Sequence, residues 1–199
     1  MRMPALLAAL GSAALLAACT TPAYVSPVEV TRFTAAEPQL LGSGTISLRA
    51  APGEAPDSWD YAAYQTAVAD ELTQLGYTVT GGSGAQVAEI SVEQYVTRAE
   101  GGRSPVNVGV GGSTGSYGSG VGVGVGINLG GNRPVDRIDT QLRVVIRPAS
   151  ATDALWEGRA RFTATVNSDY ADRQAAAAKL ADALFGGFPG QSGETIEVR

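Results

Sequence analysis

The sequence predicts an α+β fold: a two-layer sandwich of one mostly antiparallel sheet with two helices packed on one face, plus a glycine-rich hairpin insertion. Three observations carry this prediction. Long stretches alternate apolar and polar residues with period two, as strands with one wet face do. Two segments repeat apolar residues at helical spacing. The order strand, helix, strands, helix, strand then stacks helices against a sheet around a single core.

The elements follow in chain order. Residues 44–50 alternate, with Ile46 and Leu48 on one side and Ser47 and Arg49 on the other, and form a short strand. Pro56-Asp57-Ser58 opens a helix, with Asp57 or Ser58 as N-cap and Asp60 near the positive end of the dipole. Tyr61, Tyr64, Val68, Leu72 and Leu75 make its apolar stripe, Gly76 ends it, and Tyr77 folds back on the last turn. Three alternating strands are expected next. In 86–98, Ala88, Ile90, Val92 and Val96 oppose Glu89, Ser91, Glu93 and Tyr95. In 137–147, Ile138, Thr140, Leu142, Val144 and Ile146 oppose Asp139, Gln141, Arg143 and Arg147. In 155–167, Trp156, Ala160, Phe162, Ala164 and Val166 oppose Glu157, Arg159, Arg161 and Thr163. A second helix over about 169–185 gathers Ala177, Leu180, Ala181, Leu184 and Phe185, and residues 194–199 form an edge strand.

Residues 101–131 hold 13 of the 26 glycines. Val106, Val108 and Val110 alternate with Asn107 and Gly109; after a tip containing Tyr117, Val121, Val123, Val125, Ile127 and Leu129 alternate with glycine and Asn128. This is a hairpin with one apolar and one bare face. Each strand glycine weakens it by roughly 0.5–1 kcal/mol, so the expectation is an insertion that stays mobile unless a flat partner packs on it. Its strands read as short beside the roughly 9–11 residues of a membrane-spanning strand. Neither a Gly-Lys-Ser/Thr motif nor a helix follows the glycines, which excludes a phosphate loop.

The N-terminus sets the compartment. Arg2, an apolar run from Ala5 to Leu16 and small residues after it form an export signal. Leu16-Ala17-Ala18-Cys19 matches the bacterial lipobox. The expected organisation is a signal peptide over 1–18, a tether over 19–27 lipidated on Cys19 (palmitate among its acyl chains), and one domain over 28–199 carrying the insert. Thr20 and Thr21 stand where an aspartate would favour inner-membrane retention, which points to the outer membrane, facing the periplasm. Without Arg2 the chain has 13 basic and 19 acidic side chains, a net charge of −6 that argues against nucleic acid as a partner.

The chain contains no histidine, its sole cysteine is Cys19, and its sole lysine is Lys179 in the second helix. Ser-His-Asp, Cys-His and histidine-based metal sites are thereby excluded, and no catalytic, metal or cofactor-binding residue is assigned. A hydrolase working with carboxylates alone ranks third, because capping accounts for Asp57 and Asp60. Glu89 and Glu93 are expected to face Arg143, Arg147, Arg159 and Arg161 in cross-strand ion pairs worth roughly 0.2–1 kcal/mol each. Those arginines, with Tyr117, Val121, Val123, Val125 and Ile127 of the insert, are the candidate partner surface. Trp59 and Trp156 read as core or helix-anchoring residues. The expected function is a non-enzymatic envelope lipoprotein that binds another envelope protein or a glycan. The alternative is a subunit of an outer-membrane pore or secretion assembly that uses the hairpin.

Several local motifs belong together: the lipobox, Leu75-Gly76-Tyr77, Gln86-Val87-Ala88-Glu89-Ile90-Ser91-Val92, the glycine-rich insert, Leu155-Trp156-Glu157-Gly158 and Phe188-Pro189-Gly190. In these the chain resembles the bacterial lipoproteins catalogued as domain of unknown function 4136. The resemblance implies an exported lipoprotein with a compact α/β domain, and it brings no functional residues.

Overall fold

The computed structural model describes residues 21–35, 40–55, 59–99, 106–115, 118–127 and 135–199, with backbone alone for 59–60, 106–115 and 118–127. The export signal, Cys19, Asp57, Ser58, Tyr117 and Leu129 lie outside the described residues, as do the side chains of Trp59, Asp60, Val121, Val123, Val125 and Ile127. The chain divides into two compact units, one of Ala23–Arg98 with Asp136–Arg199, the other including Ala99–Val135.

In the first unit, helical spacing folds as expected. Helix α1, Trp59–Gln74, buries Tyr61, Tyr64, Val68 and Leu72. Gly76 takes φ +102°, the left-handed conformation that only glycine adopts without strain. The Tyr77 N–H then reaches back to the Leu72 carbonyl at 3.1 Å and the Gly76 N–H to that of Thr73 at 3.1 Å, closing the end of the helix. Helix α2, Arg173–Phe185, starts later than its periodicity suggests. Asp169–Ala171 forms a 3-10 turn, and the Asp172 carboxylate caps α2 by accepting the Ala175 N–H at 3.0 Å.

The strands are β1 (Val28–Thr34), β2 (Thr45–Ala50), β3 (Thr78–Thr80), β4 (Gln86–Thr97), β7 (Arg137–Pro148), β8 (Trp156–Thr165) and β9 (Thr195–Val198). They form one seven-stranded mixed sheet in the order β3-β2-β4-β7-β8-β1-β9, and with the two helices make the unit α+β. Four strand pairs are antiparallel, but β2 runs parallel to both β3 and β4. The physical reason is the helix: α1 carries the chain across between β2 and β3, and such a crossover returns it in the same direction. The edge strand expected at the C-terminus is β9, against β1.

One buried cluster joins side chains of both helices to alternate residues of β1, β2, β4, β7 and β8. Two residues assigned to that face fall outside it: Val96 is 59% exposed and Val166 is 45% exposed. β4 runs on past the residues that cover it, and Val166 lies beyond the end of β8. Strand β1 was not expected, because Arg32 occupies one of its inward positions and breaks the apolar alternation. Part of the expected tether is also laid down as structure. Val25 bridges to Ala164, and the Ser26 N–H bonds the Thr163 carbonyl at 2.9 Å.

In the second unit, β5 (Val106–Gly115) and β6 (Gly118–Ile127) pair antiparallel as a two-stranded sheet. Each has ten residues, longer than the sequence reading allowed.

Candidate functional site

The strand residues of opposite parity to the core carry the charges, and the register sets them in rows. Ser91, Arg143, Arg159, Thr31 and Thr195 stand in one row across β4, β7, β8, β1 and β9. Glu93, Gln141, Arg161, Glu29 and Glu197 stand in the next, followed by Tyr95, Asp139 and Thr163. Arg143 and Arg159 are direct cross-strand neighbours, a repulsive arrangement on its own. Glu157 relieves it. Arg143 donates to both oxygens of its carboxylate, from Nε at 2.9 Å and Nη2 at 3.0 Å, and Arg159 Nε donates at 2.8 Å. The Arg143 hydrogen bonds, with Arg159 behind them, hold the Glu157 carboxyl below its ordinary range despite burial, and Glu157 in turn raises Arg143.

All four arginines of the candidate surface are ion-paired. Arg147 meets Glu89 at 2.6 Å, as the alternation implies, while Arg161 meets Glu29 at 2.5 Å. Glu93 faces Arg143 closely enough to help raise its pKa but makes no direct ion pair among the described residues; the Tyr95 hydroxyl donates to it at 3.3 Å.

Beside these pairs lies a groove of about 590 Å³. Gln141, Arg161, Thr163 and Asp139 form its floor, Glu93 and Tyr95 one side, and Tyr24, Ser26, Pro27, Glu29 and Glu197 the other. The N-terminal wall is pinned by backbone geometry. The Thr163 N–H bonds Ser26 Oγ at 2.9 Å, the Tyr24 N–H bonds Thr165 Oγ1 at 2.9 Å, and the Thr165 N–H bonds the Tyr24 carbonyl at 2.9 Å. The Arg137 guanidinium lies 5.6 Å from the centre of the Tyr24 ring, a cation–π distance. The Thr163 and Thr97 hydroxyls donate hydrogen bonds to the Asp139 carboxylate at 2.5 and 3.4 Å. Four carboxylates and one arginine thus line the groove, and Tyr24 and Tyr95 stand 49% and 64% exposed. The sequence alternation puts Glu93, Tyr95, Asp139, Gln141, Arg161 and Thr163 on polar strand faces, but it does not reveal the N-terminal wall. Tyr24, Ser26 and Pro27 were assigned to the tether and Glu29 to no strand, although Glu29 and Thr31 do alternate with Val28 and Val30. Among the described residues no cluster of three acids is arranged to hold a metal ion.

The local motifs singled out in the sequence converge elsewhere, on two structural clusters. Trp156 is fully buried, stacked on Phe185 at 5.4 Å and tilted against Phe188 at 5.1 Å, and its indole N–H donates to the Pro189 carbonyl at 2.8 Å. Gly158 lies where a Cβ would collide with that indole and with Leu184. Gly190 sits against the buried Arg32, whose guanidinium donates to the carbonyls of Leu184, Ala183 and Gly186 at 2.9, 2.9 and 2.6 Å. A cation placed on the last carbonyls of α2 also complements the helix dipole. At the other cluster, the Gln86 amide donates to the Leu40 carbonyl at 2.8 Å, and its oxygen accepts from the Tyr77 hydroxyl at 3.4 Å. These residues lock elements together and leave no reactive group exposed.

Comparison with known proteins agrees with the motifs. A family model described as domain of unknown function (DUF4136) matches residues 33–190. An uncharacterized protein of Zymomonas mobilis is 39% identical over 64 residues, which are 32% of this chain and 24% of that protein. The matched segment thus spans about a quarter of that relative. Among solved structures, a PDZ domain protein from Parabacteroides distasonis aligns with TM-score 0.47 and 12% identity, covering 94% of this chain and 42% of the other. The PelC dodecamer from Paraburkholderia phytofirmans aligns with TM-score 0.45 and 10% identity, covering 83% and 99%.

Proposed function

The chain belongs to the family catalogued as domain of unknown function 4136, and from that premise we propose that it is a non-enzymatic envelope lipoprotein that binds a basic segment of another envelope protein through the open face of its sheet. The acidic groove carries the reading. Four carboxylates against one arginine favour a partner bringing positive side chains, and two exposed tyrosines offer flat surfaces for cations or apolar stems. The composition of the core supports it, since the buried cluster takes mainly one parity of strand residues together with both helices, and the charged residues of the other parity stay accessible. The lipobox at Cys19 supports anchorage, and residues 20 and 21 support the outer membrane facing the periplasm. Catalysis is disfavoured by the residue inventory: histidine is absent, and Lys179 stands 5.1 Å from the Tyr170 ring centre, engaged with it.

A photocrosslinking amino acid placed at Gln141 in living cells tests the proposal against one placed at the exposed Thr66 of α1. A discrete adduct from Gln141 that Thr66 does not give, weakened by reversing the charge of Glu93, is the expected result. Equal adducts from both positions, or none from Gln141, would remove the groove as the binding surface.

A further inference from the structure

The two-stranded sheet β5–β6 has a register that an aqueous hairpin does not call for. Val106 stands opposite Ile127, Val108 opposite Val125 and Val110 opposite Val123, while Gly109 stands opposite Gly124 and Gly111 opposite Gly122. Period two therefore collects the aliphatic residues, Val121 included, at the positions of one face, with Gly112, Thr114 and Ser119 continuing that face toward the turn, and leaves glycine, Asn107 and Ser113 at those of the other. Each strand has ten residues, within the roughly 9–11 that a tilted strand needs to cross the hydrocarbon of a bilayer. The sequence carries no charge from Ser104 to Asn132, and arginine closes the run at both ends, Arg103 and Arg133. Uncharged strands in which apolar residues alternate with small or polar ones on either side of a turn, here over residues 106–110 and 121–127, are the pattern of transmembrane barrel strands, and the flanking arginines of the sequence suit headgroups.

We propose that several copies of this chain insert their β5–β6 strands into a bilayer as one shared β-barrel, aliphatic positions toward lipid and glycine positions toward the lumen. Sharing is required by hydrogen bonding. Both strands are edges of a two-stranded sheet, and each backbone group left unpaired in hydrocarbon costs several kcal/mol. Pairing β6 of one copy with β5 of the next removes every edge once the ring closes. The smallest closed barrels have about eight strands, which sets a minimum of about four copies. Ordinary side chains fill an eight-stranded interior, whereas glycine positions leave it hollow, so the barrel is a pore for small polar solutes. The proposal uses the anchored-lipoprotein reading only to bring the strands to a membrane.

The test takes the full-length lipidated chain reconstituted into phosphatidylethanolamine–phosphatidylglycerol vesicles. Gly122→Cys, Val123→Cys, Gly124→Cys and Val125→Cys are labelled singly with a membrane-impermeant maleimide. Labelling at 123 and 125 is expected to run about tenfold slower than at 122 and 124, following the alternation of lipid-facing and lumen-facing positions. Particles of at least four chains and leakage of a small trapped dye should accompany it. Equal labelling at the four positions, protection at all four, or a monomer in the vesicles would overturn the barrel. Labelling of the chain with no added cysteine reports a free thiol at Cys19, which counts against the anchor; the scan repeated on Cys19→Ser then decides the barrel separately.

Discussion

Gly158 has an inward position on β8, a site where period two calls for an apolar side chain, and its lack of one is what admits the Trp156 indole. Gly158→Ala should therefore cost about 1–3 kcal/mol through overpacking, seen as a lowered urea midpoint with unchanged slope. A neutral result would mean that Trp156 and Leu184 have room to move. On the opposite face Glu157 bridges two adjacent arginines. Its folded-state pKa lies below the ordinary one, so its contribution is present above the ordinary carboxylate range and is lost as pH falls through the folded value. Glu157→Gln should lower stability by about 1 kcal/mol at neutral pH, modest because Arg143 and Arg159 are 40% and 50% exposed and screened. The parent and variant curves should converge in acid; a gap that is the same at both pH values would contradict the assignment. Arg32 shows the limit of reading single residues. A charged side chain at a core position looks like the end of a pattern until the three carbonyls it serves are in view.

At the scale of elements, the long alternating segments and both helices were legible because each satisfies one period over many residues. β1 and β3 were not: one carries Arg32 inward, the other has three residues. Parallel pairing of β2 was also hidden, since alternation records which face a residue takes and nothing about direction. One wall of the groove was lost with β1, because Tyr24, Ser26, Pro27 and Glu29 belong to β1 and the segment before it. The insert is a different case. β4 and β7 pair continuously from Gln86↔Pro148 to Thr97↔Arg137, so the insert leaves and re-enters the sheet at neighbouring positions. Replacing residues 104–130 with a short turn should leave the unfolding free energy of the first unit, read from urea denaturation, within about 1–2 kcal/mol of the parent, because its valines are few and its glycines oppose ordering. Unfolded or insoluble protein would place the insert in the core and contradict the division into two units.

For the whole molecule, the proposed anchor at Cys19 decides where the proposed groove can act. Cys19→Ser should yield a soluble or signal-retaining chain, because no other thiol is available for acylation. Its normal acylation and membrane fractionation would sink the lipoprotein reading. The continuous β4–β7 ladder also has a consequence for synthesis. β4 leaves the ribosome about 40 residues before β7, and closing a loop of that length slows the pairing of its ends. During that interval its other edge already has a mate, since β2 precedes it and lies parallel to it over Ile46–Ala50. The parallel pair gives the growing chain a place to hold the apolar face of β4 while the antiparallel partner is still being made.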